Sequence, residues 1–287
     1  MTRVIYVNGR YRRYRDAFIH SEDRGFQFGD AVYEVLEVKD SFLVNEKHHI
    51  ARLLRSLSEL SITPPMSARA LHNIMLETIR RNYLHNGSIY LQVSRGVGSR
   101  NFLFSEADLQ PTVVCIARTI DPIHQKKASE IGIKVITHEE IRWARCDIKT
   151  VMLLPASLAK EKAKVSGAHE VWFVDDRGMV LEGGSSNAWI INHDNEVLTR
   201  QVDSSILYGI TRLTLIDVLK KFNIQPKERA FGISEALQAK EAFITSSTST
   251  VMPVVSINGH DIGEGCPGPV TLMLRNAFHS VAEISSN

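Results

Sequence analysis

Cysteine is scarce in this chain: three of 287 residues, at Cys115, Cys146 and Cys266. The number is odd, the three lie far apart, and no CxxC pair occurs. A disulfide framework and a zinc ribbon are excluded, and reduced, mostly structural thiols are the expectation. Long apolar runs are missing as well. The longest stretch without an acidic residue, lysine or arginine, Ala242 to His260, holds Ser246, Ser247, Thr248, Ser249, Thr250, Pro253 and Asn258, a composition unfit for a membrane helix. Met1 to Arg15 is rich in arginine and lacks the apolar centre of a secretory signal. Neither charge sign dominates: 34 Lys and Arg against 32 Asp and Glu leave a net charge of +2. That excludes a mainly electrostatic partnership with nucleic acid or an anionic membrane. What remains is ordinary globular composition, 44% hydrophobic and 23% charged. At roughly 150 residues per domain the length predicts two domains, enough chain for a core without staples. A soluble, cytoplasmic protein is expected.

Periodicity divides the chain. Val4 to Val7 followed by Asn8-Gly9 reads as a strand and hairpin turn. After Asn45, read as an N-cap, Ile50, Leu53, Leu54, Leu57 and Leu60 recur at helical spacing, and Pro64-Pro65 ends that helix. Ser67 caps a second helix with Leu71, Ile74, Met75 and Ile79 on one face. Ile89 to Val93 and Thr112 to Ala117 read as strands. The reading gives an N-terminal α/β domain over 1–118, a linker over 119–127 around Pro122, and a C-terminal domain over 128–287. In the C-terminal part, strands are expected at Ile133 to Thr137, Val171 to Val174, Ala188 to Ile191, Ala242 to Thr245 and Met252 to Ile257. Helices are expected at Ala156 to Val165, after Thr211, and from about Val270 to Ala282. Interspersed strands and helices predict an α/β or α+β fold in two domains.

Some motifs carry nothing. Gly263 to Gly268 fits GxGxxG but follows a hairpin and opens no βαβ unit, so it reads as a tight loop. His48-His49 are adjacent on a helix and point about 100° apart; solvated or capping histidines are expected there. No GxSxG elbow supports a nucleophilic serine.

Others carry chemistry. Lys149 precedes the apolar run Val151 to Leu154; burial disfavours its charged form, and a neutral amine is a nucleophile, although most lysines between apolar residues simply snorkel, which is the better reading of Lys149 taken alone. Glu182 precedes Gly183-Gly184-Ser185-Ser186-Asn187; it either caps that loop or pairs with a protonated pyridine nitrogen. Gly209-Ile210-Thr211-Arg212 opens an apolar helix, whose N-terminus attracts phosphate. Thr245-Ser246-Ser247-Thr248 offers hydroxyl and amide donors, and Arg52 a fork-shaped cation.

These segments together resemble the class IV (fold type IV) aminotransferases, which use pyridoxal 5′-phosphate. The resemblance runs from Asp23 to the closing helix: Asp23 to Asp30 with Tyr33-Glu34, then Arg52, Ile141 to Lys149, Glu182 to Asn187, Gly209 to Arg212, and Thr245 to Thr248, in the family's order. The runs Asp23 to Asp30 and Arg142 to Lys149 are most similar to the D-amino-acid (D-alanine) aminotransferases. The resemblance implies a smaller N-terminal α/β domain, a larger barrel-like C-terminal one, and a homodimer. Lys149 matches the lysine that holds the cofactor as an aldimine and shuttles the proton, and Glu182 the carboxylate on the pyridine nitrogen. Arg52, Ile210, Thr211, Ser246 and Ser247 match the phosphate cup, Leu207 a residue packing on the ring, and Tyr33 a tyrosine of the substrate site.

The implied reaction is a ping-pong exchange of the amino group of a D-amino acid with a 2-oxo acid. The D-amino-acid enzymes trap the α-carboxylate with an arginine and a histidine two residues later, supplied by the neighbouring subunit. Arg100 matches the arginine, but Phe102 stands where the histidine belongs, which implies a weaker carboxylate trap or a shifted substrate preference. A branched-chain L-amino-acid transaminase, an (R)-amine transaminase and an aminodeoxychorismate-type lyase would share the cofactor site. A non-catalytic binding module would need neither Lys149 nor Glu182.

Overall fold

A computed structural model describes residues 3–104 and 109–285. The chain forms two compact units. The first takes the residues up to Asp121 together with Ile148–Met152 and the closing residues from Glu283; the second takes Pro122–Asp147 and Leu153–Ala282.

The first unit contains β1 (Val4–Val7), β2 (Arg10–Arg13), α1 (Arg24–Phe28), β3 (Ala31–Lys39), β4 (Phe42–Leu43), α2 (Glu46–Glu59), α3 (Ala68–Asn82), β5 (Gly87–Ser94) and β6 (Thr112–Thr119). The strands form one antiparallel sheet in the order β2-β1-β6-β5-β3-β4. The expected hairpin turn at Asn8-Gly9 joins β1 to β2, with Val7 opposite Arg10. Helix α2 lies on β3, and α3 on β1 and β6. The apolar stripe Ile50, Leu53 and Leu57 is buried as its spacing predicts. Ser67 caps α3 by accepting from the Ala70 amide at 3.3 Å.

Asn45 departs from its expected role. It stands before α2 in a left-handed conformation and its side chain caps nothing. Its Oδ1 instead accepts from the Glu283 amide at 3.0 Å, while its own amide donates to the Glu283 carbonyl at 2.7 Å. Strand β3 carries a second surprise. Its buried positions alternate through Val32, Glu34, Leu36 and Val38, so a carboxylate occupies an inward place in an otherwise apolar series. Ile148–Met152 runs along the edge of β3 that β5 leaves open: the Tyr33 amide donates to the Lys149 carbonyl at 3.0 Å and the Val151 amide to the Ala31 carbonyl at 3.1 Å.

The second unit contains α4 (Pro122–Ile131), β7 (Ile133–Glu139), α5 (Leu154–Val165), β8 (Glu170–Val174), β9 (Val180–Gly183), β10 (Asn187–Ile191), β11 (Val197–Thr199), α6 (Ile210–Lys221), β12 (Lys227–Glu228), α7 (Ile233–Leu237), β13 (Glu241–Ser246), β14 (Thr250–Ile257), β15 (His260–Asp261) and α8 (Pro269–Ala277). The main path of its sheet is β12-β11-β10-β13-β14-β7-β8-β9, with β15 paired to β14. The sheet curls, bringing β9 at its end back against β10. Strands β8, β10 and β14 are buried at every position, the pattern of a sheet covered on both faces. Ala156, Ala159 and Ala163 bring α5 close to Val171, Phe173 and Leu181.

Residues 119–127, read from the sequence as a linker, contain the end of β6 and the first part of α4. Pro122 opens that helix, because a first-turn residue needs no amide proton. The loop from Gly263 to Gly268 leads into α8, whose first turn is already occupied. Glu241 accepts from the Val270 amide at 3.1 Å and from the Thr271 amide at 2.8 Å. No helix among the described residues is long and apolar enough to cross a membrane.

Candidate active site

In the first unit the inward carboxylate of β3 organises α2. Arg52 donates from Nε to Glu34 Oε1 at 2.8 Å and from Nη2 to Oε2 at 2.7 Å, a two-pronged pair. His49 Nδ1 lies 2.7 Å from Oε2. The side chains of Glu34, His49 and Arg52 are 0%, 3% and 6% exposed, so each depends on the others for charge and hydrogen bonds. Burial pushes the Glu34 carboxyl up, but Arg52 and His49 overcome that and hold it at about 2. Burial pulls the His49 pKa below 6.5, and the charges of Arg52 and Lys149 act in the same direction against the pull of Glu34. A neutral imidazole facing a carboxylate carries its proton on Nδ1 and donates it. His49 is therefore a buried partner of Glu34, which corrects the expectation of a solvated or capping histidine; His48 beside it is exposed.

Lys149 lies along the same strand. Backbone bonds to β3 fix its main chain, and its amide reaches Ser56 Oγ on α2 at 3.4 Å. Its Nζ sits 4.5 Å from the centroid of the Tyr33 ring. Tyr33 stacks on Tyr90, with ring centroids 5.4 Å apart, and Tyr90 donates its hydroxyl to Gln92 Oε1 at 2.6 Å. Tyr33, Arg52 and Lys149 thus share one neighbourhood within this unit. Arg100 and Phe102 stand on the loop after β5. The Phe102 ring meets Phe28 edge-on at 5.7 Å, and the Arg100 guanidinium lies 5.5 Å from Phe28 and 5.8 Å from Phe102.

In the second unit Glu182 stands on β9, buried. Its Oε1 accepts from Arg142 Nη1 at 2.6 Å; its Oε2 accepts from Asn187 Nδ2 at 3.1 Å and from the Leu207 amide at 3.0 Å. Arg142 also forks onto Glu140, with Nη2 to Oε2 at 2.6 Å, and lies 4.4 Å above the Phe173 ring. Burial pulls its pKa down, but Glu140 and Glu182 outweigh that and raise it, keeping the guanidinium charged. Asn187 also donates to the Leu207 carbonyl at 3.0 Å, so one amide ties Glu182 to the approach of α6. Gly209 closes the knot: a Cβ there would stand 2.0 Å from Asn187 Oδ1.

Helix α6 starts at Ile210 with no side chain capping it. The first amides of such a helix, here on Ile210, Thr211 and Arg212, have no partner within it. Ser246 and Ser247 occupy the turn from β13 to β14, where Ser246 Oγ accepts from the Ser249 amide at 3.2 Å. Of the expected residues, Glu182 and Leu207 are bonded directly, while Ile210, Thr211, Ser246 and Ser247 sit at element ends that offer donors.

The structure adds Glu34, His49, Arg142 and Asn187 to what the residues alone suggested. Glu34 has one sequence signal, an acidic residue at the inward parity of a β-branched run. Arg142 has a weaker one, its place two residues after Glu140. Among the described residues no cluster of histidine, cysteine and carboxylate side chains could hold a metal.

Comparison with known proteins places the chain among enzymes. The sequence profile of amino-transferase class IV matches residues 31–257. The D-alanine aminotransferase of Bacillus licheniformis is 37% identical over 276 residues, covering 96% of each chain. That of Staphylococcus haemolyticus is 36% identical over the whole of both. Among solved structures, the branched-chain amino acid aminotransferase of Escherichia coli superposes with a TM-score of 0.87 at 25% identity, covering 98% of this chain and 94% of that one.

Proposed function

This chain belongs to the class IV aminotransferases, and we propose that it exchanges the amino group of a D-amino acid of the D-alanine or D-glutamate type with a 2-oxo acid. Full-length identity to D-alanine aminotransferases carries the substrate reading; the likeness to branched-chain enzymes carries the fold.

The family works with pyridoxal 5′-phosphate, and the donors here fit that group. Glu182 is a buried carboxylate held by a charged guanidinium, and the first turn of α6 lacks a side-chain cap. When bound, the cofactor supplies a protonated pyridine ring that withdraws electrons from the substrate's Cα. Glu182 would accept from the proton-bearing ring nitrogen, with Arg142 as that carboxylate's counter-charge. Leu207 would pack on the ring. Ile210, Thr211, Ser246 and Ser247 would hold the phosphate; Arg52, oriented by Glu34, matches the family's phosphate-binding arginine. Lys149 Nζ would anchor the cofactor and, as a free amine, would take up the proton at the substrate's Cα. Tyr33 lines the substrate pocket beside it. Arg100 takes the substrate carboxylate, and Phe102 supplies an apolar ring in place of a second donor.

The active form is a cytoplasmic homodimer. Phe102, Leu103 and Phe104 expose 79%, 74% and 57% of their surface, an apolar patch of the kind a partner chain covers. The free thiols Cys115, Cys146 and Cys266 suit a reducing compartment.

Replacing Lys149 tests the assignment. Lys149→Ala is expected to abolish multiple turnover and the visible absorption of the cofactor-loaded enzyme. A variant that keeps rapid turnover contradicts the role given to Lys149.

A further inference from the structure

Arg24, on the five-residue helix α1, takes no part in the mechanism above, yet its side chain is only 4% exposed. It donates from Nε to Asp30 Oδ2 at 2.8 Å and from Nη1 to the Asn101 carbonyl at 2.6 Å. Asn101 separates Arg100 from Phe102. Its carbonyl is thus fastened by a charge-assisted hydrogen bond to a buried guanidinium.

That guanidinium is itself fixed. Its Cζ lies 4.5 Å from the Phe28 ring, the ring that Phe102 meets edge-on and Arg100 overlies. Asp30 is held from its other side by Arg95, through Nε to Oδ2 at 2.7 Å and Nη2 to Oδ1 at 3.0 Å. Arg95 in turn donates to the carbonyls of Ser61 at 2.9 Å and Leu60 at 2.7 Å, just beyond α2, and lies 3.7 Å from the Phe104 ring. The main chain of Arg24 is anchored too, its amide donating to the Gly96 carbonyl at 2.9 Å. A chain of fixed contacts therefore runs from the end of α2 through Arg95, Asp30 and Arg24 to the Asn101 peptide.

We infer that Arg24 is a positioning residue for substrate recognition: it sets the loop that presents Arg100 and Phe102 to the substrate's carboxylate side. The inference rests on the role given to Arg100 under the proposed function. A planar fork suits this position because one side chain must reach Asp30 and a carbonyl in different directions. Lysine has a single ammonium on a flexible stem and cannot hold both in fixed geometry.

The test uses the cofactor-loaded, full-length enzyme and the variants Arg24→Lys, Arg24→Gln and Arg100→Ala. For Arg24→Lys the KM for D-alanine is expected to rise about tenfold, the effect of one charge-assisted bond, with kcat changed by less than about twofold. Amide hydrogen exchange in a peptide spanning 98–104 should accelerate, while the cofactor's visible absorption stays unchanged. Arg24→Gln should show a larger rise in KM; should it fail to fold, Arg24→Lys decides alone. Unchanged KM and exchange in Arg24→Lys, with KM raised in Arg100→Ala, overturn the inference and leave the function standing. Unchanged KM in Arg100→Ala overturns the role of Arg100 itself, and the inference with it.

Discussion

Arg142 donates to Glu182 at 2.6 Å while the same guanidinium forks onto Glu140. One buried cation therefore serves two carboxylates, and Glu182 has Asn187 and the Leu207 amide on its other oxygen. Without the cation, the buried Glu182 carboxylate keeps neutral N–H partners, which leaves a buried charge uncompensated.

Arg142→Met should therefore cost activity and stability together. The expected loss in kcat/KM is about 10- to 100-fold, and the expected destabilisation about 3 kcal/mol, as for a buried pair that loses one member. Steady-state kinetics and thermal melts of the holoenzyme check this. A variant with unchanged kcat would show that Glu182 does not need Arg142 for its role.

Glu34 makes the fold acid-sensitive in a defined window. Its pKa in the folded protein, about 2, lies below the ordinary 4.5. A depressed carboxyl contributes stability that is complete above about 4.5 and is lost as the pH falls toward 2, about 3 kcal/mol in all. Glu34→Gln should be less stable near neutral pH and lose less of its remaining stability on acidification. Urea unfolding from pH 7 to pH 3 measures both; parallel curves for the two proteins would contradict the assignment.

Much of this arrangement was readable in the sequence. The stripe on α2, the cap at Ser67, and the runs that became β5, β10 and β14 follow from local pattern. Lys149, Glu182 and the start of α6 stood out by residue type and neighbours. Strand β3 did not stand out, because its buried position 34 carries a charge that Arg52 on the next helix balances and His49 hydrogen-bonds. The side chain of Asn45 was equally opaque: its partner is the main chain of Glu283, 238 residues away. The same holds for Ile148–Met152, whose place in the first unit depends on pairing with a strand more than a hundred positions earlier. Local signals report local satisfaction; these residues are satisfied at long range.

Phe102 offers a gain-of-function prediction. Phe102→His places a second donor two residues after Arg100, and the KM for D-glutamate or D-alanine should fall about tenfold, the worth of one charge-assisted bond. An unchanged KM would mean that the site takes the carboxylate by another route.

The central claim is tested most directly by the half-reaction. The holoenzyme is mixed, without acceptor, with D-alanine, D-glutamate, L-glutamate, L-leucine or an (R)-amine in separate cuvettes, and its visible absorption is followed. Loss of the band with the two D-amino acids alone is the result predicted here. Loss with an L-amino acid or the (R)-amine would contradict the substrate assignment, and a protein that develops no band on addition of pyridoxal 5′-phosphate would contradict the role of Lys149.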